Sequence, residues 1–136
     1  MTLATIFFAI LIFTASPFAF SATSDVRFDG RNPQTNAPCI LYVINSGYLN
    51  DSQERQDFFM EVEAKGFSHN GDSPGPVVLR PVQNRPNVLF SKTESEDMVL
   101  FFSNNDFLQG SPIGFNLRWL HGNHYHYESC QNLKRR

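Results

Sequence analysis

The chain has 136 residues, with 11 basic and 13 acidic side chains and a net charge of −2. The charges are interspersed, and Lys134-Arg135-Arg136 is the one basic cluster, so the sequence shows no basic face of the kind that nucleic-acid binding requires. The length suits one domain with a single core.

Ile6 to Phe13 is an unbroken apolar run, followed by Thr14, Ser16 and Pro17 and then by small residues. Ala19 and Ser21 stand where a signal peptidase accepts small side chains, for a cut after Ser21. No Lys or Arg precedes the run. The apolar stretch falls short of the roughly 20 residues that a membrane span needs. The expectation is a signal peptide over 1–21 and a single β-rich domain over 22–136. The mature chain is expected to be secreted or periplasmic, with no membrane span.

The two cysteines are Cys39 and Cys130. In an exported protein an even number predicts a disulfide. A bridge between them would close nearly the whole domain, a constraint of roughly 4–5 kcal/mol on chain-entropy arguments.

Phe28 to Pro38 is turn-rich and reads as a lead-in. From Cys39 onward, short apolar runs are cut by Gly, Pro and Asn. Residues 39–45 are β-branched and aromatic and read as a buried strand. Residues 76–82 and 87–93 are bounded by prolines, which suggests edge strands or strand ends. Residues 97–103 read as a central strand, and 113–121 alternate, with Phe115, Leu117 and Trp119 on one face. Residues 57–67 match a period of two better than a helical period. The competing reading is a helix over 52–65, capped by Ser52 or Asp51 and closed by Lys65-Gly66. Asn50-Asp51-Ser52 is a glycosylation sequon.

These elements predict an all-β fold: an antiparallel β-sandwich or small barrel of about 5–7 strands, stapled by a disulfide. With a helix at 52–65 the class would instead be α+β.

Residues 71–76 read Gly-Asp-Ser-Pro-Gly-Pro, which resembles the sequence around the nucleophile of chymotrypsin-like serine proteases. The resemblance covers six residues. Pro74 stands where that family has a glycine, and it lacks the N–H and the freedom that an oxyanion hole uses. The segment is read as a turn. Glu61 and Glu63 share a strand face, a pattern usual for a solvated surface. As catalytic groups they would need a histidine converging with them in a cleft.

The chain carries 14 Phe, 4 Tyr and one Trp. Most must fill the core. Tyr48 and Phe107 lie in Gly/Asn-rich settings and read as loop-tip aromatics, the type of side chain that anchors a protein partner or stacks on a sugar. Trp119 and Tyr125 join them as candidate binding residues.

His121, His124 and His126 lie close together and are candidate zinc or copper ligands. Gly122-Asn123 is a hairpin turn signal. A two-residue turn puts His121 opposite His124, Trp119 opposite His126 and Leu117 opposite Glu128. A three-residue turn keeps an aromatic face of Phe115, Leu117, Trp119, Tyr125 and Tyr127, pairs Arg118 with Glu128 and disperses the histidines. The cleaner face favours the three-residue turn, although it leaves Cys130 on the polar side.

The expected function is that of an exported binding or inhibitor-like module recognising a protein or glycan partner, with no catalytic constellation. The rival readings are a zinc- or copper-binding exported protein using the histidine cluster, and a small hydrolase using Glu61 or Glu63.

Overall fold

The structure, a computed structural model, describes residues 21–50, 56–66 and 74–136. The expected signal peptide up to residue 20, Asp51 and Ser52 of the sequon, and Gly71-Asp72-Ser73 lie outside the described residues.

Eight strands follow one another: β1 (Ser21–Arg31), β2 (Pro38–Asn50), β3 (Gln56–Lys65), β4 (Val77–Val82), β5 (Arg85–Lys92), β6 (Glu96–Phe102), β7 (Pro112–His121) and β8 (His124–Arg135). Each pairs antiparallel with the next, and β8 pairs with β1, closing the barrel. The fold is all-β, as the periodicity predicts, with eight strands rather than five to seven. The additional strand is β1. The supposed lead-in divides into a strand ending at Arg31 and a turn over 32–37 organised by Asn32, whose Oδ1 accepts the Gln34 and Thr35 N–H groups. Residues 56–65 are strand, not helix: Phe58, Met60, Val62 and Ala64 turn inward and are buried.

Closure removes the edges on which proline is usually tolerated. The prolines sit at strand ends instead: Pro81 is next to last in β4 and Pro86 second in β5. The basic C-terminus is structural rather than a loose tail. The Arg136 N–H donates to the Arg27 carbonyl at 3.0 Å, and Asp29 receives Arg27 at 2.6 Å and Arg136 at 3.3 Å.

Side chains fill the interior, as an eight-stranded barrel permits. Leu41, Val62, Leu79, Leu89, Leu100 and Phe115 are almost fully buried. Charged residues such as Arg27, Asp29, Glu63 and Asp97 lie on the outer face, the reverse of a lipid-facing barrel. Among the described residues no helix is long and apolar enough to cross a membrane.

Cys39 and Cys130 form the expected disulfide, joining β2 to β8 with β1 between them. This bond explains the register of the last hairpin, which corrects the favoured expectation. Cys130 must face the core to meet Cys39, and Phe115 is its partner in β7. Counting back by twos brings Glu128, His126 and His124 to the inner side, beside Leu117, Trp119 and His121. The turn therefore has two residues, with His121 opposite His124. Gly122, at φ 60°, fits the first central position of a type II′ turn, where glycine is preferred. The expected Arg118–Glu128 pair does not form. Arg118 pairs with Asp97 at 2.5 Å, and the Asn32 Nδ2 donates to Glu128 at 2.6 Å.

Candidate functional site

Because strands alternate in direction, the end of β2, the start of β3, the end of β4 and the β6–β7 loop gather at one end of the barrel. Two of the predicted binding aromatics meet there. A bulge at Ile44 changes the alternation of β2, so that after Leu41 and Val43 the inward residues are Ser46 and Tyr48. Tyr48 is thereby paired with Phe58 of β3. Their rings meet edge to face at 5.4 Å. Phe107 reaches the same place from the β6–β7 loop, stacking on Phe58 at 5.4 Å and meeting Phe102 edge-on at 5.1 Å.

The loop that carries Phe107 is braced by its own hydrogen bonds. Asn104 Oδ1 accepts the Asp106 N–H, and Asp106 Oδ1 accepts those of Leu108 and Gln109. Gly110 closes it with an N–H bond to the Asp106 carbonyl at 2.6 Å. A Cβ at Gly110 would collide with that same oxygen, so glycine is required.

Tyr48, Phe58, Pro81 and Phe107, flanked by Asp57 and Arg80, line an open groove of about 510 Å³. Tyr48 is 37% exposed, while Phe58 forms the buried floor. An apolar floor with a carboxylate and a guanidinium at its margin suits a ligand that has one apolar face and several hydroxyl or amide groups.

The other two candidate aromatics lie at the opposite end and on opposite faces of the β7–β8 hairpin. Trp119 points inward and is 4% exposed, so it belongs to the core. Its ring stacks on His126 at 5.3 Å. Tyr125 points outward, beneath the Arg118 guanidinium at 4.5 Å, and its hydroxyl donates to the Glu94 carbonyl.

The three histidines occupy the inner side of this hairpin, where His121 and His126 meet edge to face at 5.8 Å. Even so, among the described residues no group of three or more His, Cys, Asp or Glu side chains is placed to hold a metal ion. Glu96 shares their end of the barrel, in register with Trp119, which is in register with His126. Burial pushes its carboxyl above the ordinary range. Glu61 and Glu63 alternate with the inward Met60, Val62 and Ala64 on β3, which β1 and β2 separate from β8. Among the described residues they do not converge with a histidine. Sequence reasoning missed Phe58, Arg80 and Asp57; no local signal marks them, because only strand pairing brings them to Tyr48.

Fold and groove together define a small, disulfide-linked, closed β-barrel with an aromatic groove at one end. Comparison with protein-family models, with curated proteins and with solved structures gives no match.

Proposed function

We propose that the protein is an exported, non-catalytic binding module that recognises a glycan in the groove formed by Tyr48, Phe58, Phe107, Asp57 and Arg80. The observation that carries this reading is the convergence of Tyr48 and Phe107, from separate segments, on the buried ring of Phe58. A sugar ring has an apolar C–H face, which an aromatic surface accepts, and an edge of hydroxyls, which Arg80 and Asp57 can bond as donor and acceptor. The groove has the volume of a small-ligand site. A protein partner would ordinarily cover about 800 Å² of surface on each side, far beyond the groove.

The test is a glycan array followed by calorimetry on the ligands found. Tyr48→Ala and Arg80→Ala should each weaken binding by about tenfold or more, as truncation of central contacts does. Absence of any glycan ligand, or binding that both variants retain, overturns the reading. A protein ligand lost in Tyr48→Ala would keep the groove and replace the glycan.

A further inference from the structure

A second pocket, of about 180 Å³, lies inside the same end of the barrel beneath the β6–β7 loop. We infer that it is a binding site for a small organic anion with a compact apolar body and a carboxylate.

Apolar side chains from four strands line it, Val26 and Phe28 of β1, Val43 of β2, Met60 of β3 and Phe102 of β6, and the β6–β7 loop adds the polar Gln109 and Ser111. Phe107 closes it on the side of the aromatic groove and is the one residue the two share. The volume is close to that of an apolar cavity that holds a benzene ring, about 150 Å³.

Two polar side chains are aimed at this wall, each by a strand irregularity. The Ile44 bulge turns Ser46 inward, where it is buried. The second irregularity is in β8. Inward residues there run through Glu128 to Cys130, and regular alternation would send Lys134 inward and Arg135 out. Asn132 adopts φ 55°, and pairing with β1 shifts between Asp29 and Arg31. After the shift Leu133 is buried and Arg135 stands opposite the inward Phe28. Asparagine tolerates this left-handed backbone better than most residues, and bulges commonly re-aim a side chain at a site. Arg135 is the charged residue among those lining the pocket. The exposed Arg135 guanidinium and the buried Ser46 hydroxyl both line the pocket, and together with its apolar side chains they match a carboxylate joined to a single ring or branched chain. The loop above it is braced by the hydrogen bonds of Asn104, Asp106 and Gly110.

Phenylacetate is the probe, with benzyl alcohol as its uncharged counterpart, followed by amide chemical shifts and calorimetry. Phenylacetate should bind with a dissociation constant of about 1 mM or tighter, within reach of so small a ligand. Shifts should centre on Ser46, Phe102, Phe107 and Gly110, and leave Asp57 and Arg80 unmoved. Arg135→Gln should weaken phenylacetate about tenfold and leave benzyl alcohol unchanged. Lys134→Gln removes the same charge one residue away, on the outer face, and should leave both affinities unchanged. Ser46→Leu should abolish binding by filling the pocket; if it fails to fold, the shift map and the two charge variants decide. No phenylacetate binding, shifts centred on the groove, or equal effects of Arg135→Gln and Lys134→Gln overturn the inference.

Discussion

Cys39 and Gly30 are register partners in β2 and β1, and the Cys39–Cys130 bond passes over Gly30 on its way to β8. A Cβ at Gly30 would lie 2.8 Å from the Cys130 sulfur and 2.7 Å from the Gln131 carbonyl. The glycine in β1 is therefore what lets the disulfide reach across the seam where the barrel closes. Gly30→Ala should destabilise the protein by about 1–3 kcal/mol, the usual cost of overpacking a filled interior. Urea denaturation measures this, with Gly75→Ala as the control, since a Cβ there meets nothing within 4 Å.

The same bond closes a loop of 91 residues between two buried sulfurs. Replacing both cysteines by alanine should cost about 2–5 kcal/mol. Denaturation of the double variant beside the oxidised wild type checks this. Equal midpoints would show that the bridge constrains nothing.

Glu96 makes stability depend on pH. Burial raises its carboxyl above the usual value of 4.5, and its Oε1 is buried without a hydrogen-bond partner among the described residues. The folded state therefore holds the proton at higher pH than the unfolded chain does. The resulting stabilisation is complete below the ordinary Glu value and is lost as pH rises through the raised one. Glu96→Gln should remove this dependence, so the variant gains on wild type between pH 4 and pH 7. Thermal unfolding across that range is the measurement, and a constant difference between the two proteins would refute the assignment.

The β character of the chain was legible residue by residue. Alternation in 57–67 and 113–121, and the continuous apolar runs of 39–45 and 97–103, mark strands that the structure contains, because burying one face of a strand imposes a period of two and burying both leaves an unbroken apolar run. The disulfide was legible from cysteine number and the export reading. The strand β1 was not: Gly30 and the following Asn32-Pro33 look like turn residues, and the need for glycine there arises from a bond to Cys130, far along the chain.

Of the candidate site, Phe107 was legible as a loop aromatic, Tyr48 was read as a loop-tip residue and is an inward residue of β2, and Trp119 was read as a contact residue and is core. The difference lies in register. Local alternation says which residues share a face, but not which face is inner. A two-residue turn at Gly122-Asn123 sends Trp119 and His126 inward together, whereas a three-residue turn would have sent Tyr127 in with Trp119. Bulges have the same effect: one extra residue at Ile44 and another at Asn132 reverse the alternation and turn Tyr48, Ser46 and Arg135 toward one end of the barrel.

The sequence by itself determined that this chain forms strands, which residues are apolar enough to fill an interior, and which two cysteines are available to join. Tertiary structure alone decided the closure into a barrel, the register of the last hairpin, and the meeting of Tyr48, Phe58 and Phe107. The physical reason is that turn length and bulge position are settled by pairing between strands and by what the closed interior can bury, and neither quantity is local to the residues it places.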